Sequence, residues 1–300
     1  MSDFVRQNSC ECAFTTSDSW VILSPIEQSI KRKIEAVGIP LKDWDINIYR
    51  GVLTGFNDAF IVSGAKRDEI LANCKTDDER ERTAELIRPI LRGRDIKRYS
   101  YSWADLWLIY IPWHFPLQFD QTIQGTSDKA EKEFKKQYPA VYAHLLQYKK
   151  ELSARNKAET GIRYEWYAMQ RWGANYWDEF NKPKIVWGNL NLSATYTLAP
   201  EGMMINAPAT MIVPASESIL CILNSKLADY YIRNLGVTRN GGYFEYKPMF
   251  IEQLPVPKNI DEKLFSKFTE KELQSEDEID LKVYELYGLT QEEIEFIEHK

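Results

Sequence analysis

No long apolar stretch runs through this chain: the longest is centred on Leu106–Pro112, and many of the shorter ones are bounded by Gly, Pro, Asn or Asp. A helix that crosses a bilayer needs about 20 consecutive apolar residues, so no membrane span is expected. A core made from pieces this short must combine short strands with amphipathic helices. The predicted class is therefore α+β, with mixed short-strand sheets and packed helices. A hydrophobic content of 44% with 13% aromatics in 300 residues is that of a folded chain, not a disordered one. The start, Met1 to Phe4, lacks a basic segment followed by an apolar one, so the chain reads as cytoplasmic.

Local signals place the elements. Ser24-Pro25-Ile26-Glu27 opens a helix that closes at Val37 and Gly38. Asp45–Arg50 alternates as a strand, and Ala59–Val62 reads as a second one. Asp77–Arg88 is a charged helix that Pro89 stops, and Leu106–Ile111 is a buried strand. Asp128–Asn156 is helical in two pieces, the second opened by Pro139, with Phe134, Tyr138, Val141, Tyr142, Leu145, Leu146 and Leu152 on the inward face. Short strands follow at Lys184–Leu190, Thr195–Leu198, Met203–Asn206 and Thr210–Val213. Ser216–Leu235 is predicted as one helix with Tyr230 and Tyr231 inward, and Thr290 with Glu293 forms a capping box for the last helix. The expected organisation is a lead-in over 1–44, a main domain over 45–258 and an acidic helical tail over 259–300.

Charge is unevenly distributed. From 259 to 300 there are thirteen Asp/Glu against five Lys, which leaves 33 Lys/Arg against 31 Asp/Glu elsewhere, so the net −6 resides in the tail. DNA responds to local potential within a Debye length and not to the sum over a chain. Catalytic motifs are absent. Methyl transfer to an exocyclic amine needs a glycine-rich cofactor loop and an Asn/Asp-Pro-Pro-aromatic grip on the flipped base, and the chain contains no Pro-Pro pair. Cys10, Cys12, Cys74 and Cys221 show no C-x-x-C zinc spacing, and His114, His144 and His299 are scattered.

Several segments suit contact with duplex DNA. Arg88 to Arg98 packs Arg88, Arg92, Arg94, Lys97 and Arg98 into what reads as a loop, with Arg92 and Arg94 suited to phosphates. Thr238 to Tyr243 is a glycine-bearing turn that presents Arg239, Asn240 and Tyr243, and Arg and Asn read guanine and adenine edges bidentately. Lys247 lies just beyond. Arg171, and Asn189, Asn191 and Ser193, occupy two further polar loops. Each segment has a plainer reading as turn chemistry or a solvated face.

The order of these segments resembles a known family. Gly51-Val52-Leu53-Thr54-Gly55-Phe56-Asn57-Asp58-Ala59-Phe60 is similar to the signature that opens the target-recognition region of TaqI-like adenine methyltransferases and type IIG restriction-modification enzymes. Ile90 to Tyr99 resembles that family's L-x-G-x-D-I-x-R-Y segment, and Tyr138 to Arg155 its Y-P helix ending in L-x-x-R. Lys182–Val186, Leu223–Leu227, Phe250–Pro257 and Ile279–Ile294 resemble later landmarks. The resemblance covers about residues 45 to 298. It implies a bacterial DNA target-recognition domain that binds double-stranded DNA without chemistry or cofactor of its own. The parent's N-terminal methyltransferase region, and a nuclease region where the parent cleaves, would supply S-adenosylmethionine and magnesium sites. Two alternatives stay open: a magnesium-dependent nuclease using Asp229, Glu245 and Lys247, and a protein-interaction scaffold built on aromatic loops.

Overall fold

The computed structural model describes residues 23–155, 160–236, 238–258, 260, 265 and 276–300. Cys10 and Cys12 lie outside them. Two compact units emerge, one formed by 46–216 and the other by 1–45 together with 217–300. The α+β class holds in both.

In the unit 46–216, two four-stranded sheets carry the core. The first has the order β8 (Tyr196–Ala199), β7 (Lys184–Trp187), β10 (Thr210–Val213), β1 (Asn47–Arg50), all antiparallel. β7 and β10 are central and buried along their whole length, whereas β1, on an edge, leaves its first and last residues exposed. The second has the order β9 (Met204–Ile205), β3 (Ile87–Leu91), β6 (Leu106–Ile109), β2 (Ile61–Ser63), with β9 parallel to β3. A hairpin of β4 (Ile96–Lys97) and β5 (Ser100–Tyr101) follows β3. Helices Asp128–Gln137, Pro139–Leu146 and Lys149–Ala154 bury Phe134, Val141, Leu145 and Leu152 completely.

Four expectations are corrected here. The helix predicted to Arg88 ends at Leu86, because Pro89 biases Arg88 to an extended backbone and the chain enters β3. Pro89 is tolerated in that strand since β9 pairs only with Ile90 and Leu91, so no bond to β9 is lost opposite it. Asn57–Phe60 forms a helical turn ahead of β2 where a strand from Ala59 was expected. The two helical pieces of 128–156 are three, and Leu146, on the same helix as buried Val141 and Leu145 but off their face, is 46% exposed.

In the other unit, Pro25–Val37 is helical with the predicted Ser24–Glu27 capping box, and it buries Ile30 and Ile34. Ile39–Pro40 pairs antiparallel with Pro255–Val256. The helix expected over 216–235 is broken into Glu217–Asn224 and Lys226–Leu235, because the Ser225 hydroxyl accepts the Ala228 amide at 3.2 Å and caps a new start. Tyr231 is buried, but Tyr230 is only partly so. Helices Glu276–Tyr287 and Gln291–Glu298 close the chain, the latter with the predicted Thr290–Glu293 box. Glu293 also accepts from Ser29 at 2.7 Å and from Lys33 at 2.6 Å, tying the last helix to the first described one. Burial opposes its charge, but these bonds and the Thr290 amide hold its carboxyl down to about 2.

Candidate nucleic-acid interface

The basic segment is more ordered than a loop. Arg88 lies in β3 and donates Nη1 to Asn181 Oδ1 at 2.8 Å. Arg92 grips Asp95 with a fork, Nε to Oδ2 at 2.8 Å and Nη2 to Oδ1 at 2.7 Å, while its own amide donates to Oδ2 at 2.9 Å. Asp95 is buried, which would raise its pKa, yet the Arg92 bonds hold it below the usual carboxylate range. Arg92 is thus engaged in shaping the bend. Arg94 and Lys97 are exposed on that bend, and the Arg98 guanidinium lies 5.7 Å from the centre of the Tyr99 ring. The Tyr99 amide donates to the Tyr196 carbonyl at 2.9 Å, fastening the β4–β5 hairpin to β8.

The amide loop at 188–193 meets this bend. A Cβ on Gly93 would stand 3.6 Å from Gly188 Cα, an ordinary van der Waals distance, so the two loops lie side by side with room for about a methyl group between them. Within the loop, Asn189 Oδ1 accepts the Thr210 hydroxyl at 2.6 Å and Asn191 Nδ2 donates to the Gly188 carbonyl at 2.7 Å. Both amides hold the loop's shape. Ser193, Leu190 and Leu192 are exposed around them. Arg171 is exposed too, and its backbone pairs with Leu53.

In the other unit, the Arg239 amide donates to the Tyr243 carbonyl at 2.7 Å and closes the turn. Gly241 and Gly242 sit at φ 78° and 79°, a left-handed pair that side chains disfavour. Asn240 and Tyr243 are exposed, while Glu245 is buried. Glu245 receives Lys247 Nζ at 2.8 Å and Arg239 Nε at 2.6 Å, and these two cations hold its carboxyl below the usual range. Asp229 accepts the Tyr246 hydroxyl at 2.5 Å and pairs with Arg233 at 2.8 Å, and Glu245 is already compensated twice. Among the described residues no group of three His, Cys, Asp or Glu is placed to hold a metal ion.

Sequence reasoning did not assign Asp95 and Glu245 as the carboxylates that aim these arginines, and it missed two cations, half-buried Arg155 and buried Lys184. Lys184 is fully buried and donates to the carbonyls of Pro200 at 2.9 Å and Met203 at 3.3 Å. Burial lowers its pKa from 10.5 to about 8. Below pH 8 both folded and unfolded chains carry the charge, and the full penalty applies. As pH rises toward 10.5 only the folded chain loses the proton, and the penalty fades. Stability of the native chain relative to Lys184→Met should therefore climb across that window, by up to about 3 kcal/mol. Urea unfolding of both proteins at several pH values checks this; parallel pH profiles would contradict it.

No helix among the described residues is long and apolar enough to cross a membrane. No curated protein matches the chain. Among solved structures, the type IIL restriction-modification enzyme MmeI, in complex with DNA, aligns over 87% of this chain and 35% of its own, at 12% identity and a TM-score of 0.53. The type IIG restriction endonuclease BpuSI aligns over 90% of this chain and 32% of its own, at 13% identity and a TM-score of 0.44. The chain thus spans about a third of the length of these enzymes. The likeness to MmeI is one of fold. The model of the TaqI-like C-terminal specificity domain matches residues 88–256, which include the basic bend, the amide loop and the Arg239 turn. With more than half of its length matched, the chain belongs to the TaqI-like C-terminal specificity domain family.

Proposed function

We propose that the chain recognises a short sequence in double-stranded DNA for a restriction-modification enzyme or an adenine-specific DNA methyltransferase. The observation that carries this reading is the proximity of the basic bend and the amide loop, which sets exposed Arg94 and Lys97 beside a polar loop inside the family-matched region. Arg94 and Lys97 grip phosphates. Arg239 and Asn240 address base edges, with Glu245 aiming the Arg239 fork. Arg88 and Arg92 build the strand and bend that carry the phosphate contacts, and Arg98, Arg171 and Ser193 remain candidate contacts. Nothing in the sequence is suited to S-adenosylmethionine, so that cofactor, and magnesium if the parent cleaves, belong to the parent's catalytic region. The setting is the cytoplasm, where such DNA lies.

Binding by the isolated chain should be weak, with Kd of about 10⁻⁴ to 10⁻⁶ M at physiological salt, and steeply salt-dependent. Arg94→Ala and Lys97→Ala should each weaken binding to all duplexes alike and flatten the plot of log affinity against log salt by about one unit. Fluorescence anisotropy with a labelled duplex tests this. An affinity indifferent to salt contradicts the proposal and favours a protein-binding scaffold.

A further inference from the structure

The unit 46–216 contains a cavity of about 290 Å³. Of the DNA-contact candidates only Arg88 lines it. Its walls are largely aromatic. Tyr110 meets Trp172 edge-on at 6.5 Å, and Phe119 tilts against Trp177 at 5.9 Å. Phe119 is 66% exposed and so stands at the rim. The polar lining is unusual for an apolar cleft. Gln118 Oε1 is buried with no hydrogen-bond partner, and so is Arg82 Nε, although Arg82 Nη2 donates to the Gln137 carbonyl at 3.2 Å. Arg82 and Arg88 face a single lining carboxylate, Glu85, which leaves one positive charge in excess. Burial pushes the phenols of Tyr110 and Tyr138 up, so neither offsets that charge.

Each feature narrows the occupant. Aromatic walls favour a flat ring. A buried, unpaired amide oxygen calls for an N–H donor. Two arginines with one carboxylate between them call for an acceptor or an anion. An aliphatic or phenyl side chain of a partner protein would leave Gln118 and the arginines unmet, and a bare phosphate would not use the rings. We propose that this cavity binds a nucleotide, its base stacked on the aromatic wall with an N–H on Gln118 Oε1 and its phosphate toward Arg82 and Arg88. The source is either a free mononucleotide or an extrahelical base of bound DNA. The site is independent of the DNA-reading assignment and stands if that assignment fails.

The probe is the 5′-monophosphate of 2-aminopurine deoxyriboside, whose fluorescence is quenched on stacking. Titration with the whole chain should give saturable quenching. Gln118→Leu and Phe119→Ala should each weaken it by about five- to fifty-fold. Trp103→Phe, which lies outside the cavity, should not. Both test positions are at least partly exposed, and thermal melts by circular dichroism confirm that the variants fold. A second arm uses a duplex carrying 2-aminopurine in a one-base bulge. A response there that Gln118→Leu abolishes assigns the occupant to DNA, and a response confined to the mononucleotide assigns it to free nucleotide. Absence of saturable quenching in both arms, or equal affinity in wild type and both variants, overturns the proposal.

Discussion

Replacing Arg155 with methionine should destabilise the unit 46–216 by about 4 kcal/mol and lower its melting temperature by roughly 10 °C. The Arg155 guanidinium is held by carbonyls: Thr54 at 2.7 Å, Trp166 at 2.6 Å, Ala168 at 2.8 Å and, through Nε, Leu152 at 3.0 Å. One planar fork thereby joins the end of a helix, the Thr54–Gly55 turn and the 166–168 segment. Truncation leaves several carbonyls short of a donor in a water-poor setting, and each such group is costly. Burial already lowers the arginine's pKa, a sign of how far it is withdrawn from solvent. Arg155→Lys should recover only part of the loss, because an ammonium has no rigid fork to span four carbonyls at once. Urea unfolding followed by circular dichroism gives the values. A loss below about 1 kcal/mol for Arg155→Met would show that the site relaxes around the gap.

The second large effect concerns base reading. In the parent enzyme proposed above, Arg239→Ala should cost about 1–3 kcal/mol on the cognate site, some five- to 150-fold in affinity, and much less on random DNA. Glu245→Gln should act in the same direction. It weakens the carboxylate that fixes Nε of Arg239 and also receives Lys247. Competition binding at one salt concentration, with cognate and random duplexes, separates the two losses. Equal losses on both DNAs would make the turn a structural hairpin. Arg171 would then be the next base-reading candidate, since the amides of Asn189 and Asn191 are already engaged in holding their own loop.

How much of this was legible in the sequence follows the range of the forces involved. The capping boxes at Ser24 and Thr290 depend on residues three apart, and both form as read. The strand Thr210–Val213 announces itself by a short apolar run between turn residues, and its bounds are those expected. The segment 88–98 looked like a loop because its charge and its glycine dominate locally. Its strand character comes from pairing with β6 and β9, one of them more than a hundred residues away. The break at Ser225 was hidden inside an apolar periodicity that one capping hydroxyl overrides. At the interface, residue types were legible but allegiances were not. Arg92 and Arg94 look alike in a charge count, yet one is held by Asp95 and the other is exposed. The nearness of Gly93 to Gly188 has no local signature, so the placing of two modest polar loops side by side emerges only in the folded chain.

The central claim, that this chain reads DNA sequence, is tested most directly by selection from a random pool. Duplexes carrying a randomised central stretch would be retained on the proposed parent enzyme, eluted and sequenced, with Arg239→Ala and Arg94→Ala run alongside. The account predicts enrichment of one short motif, loss of preference at one position of it with Arg239→Ala, and an unchanged motif at lower yield with Arg94→Ala. Retained DNA as random as the input, despite measurable binding, would contradict it.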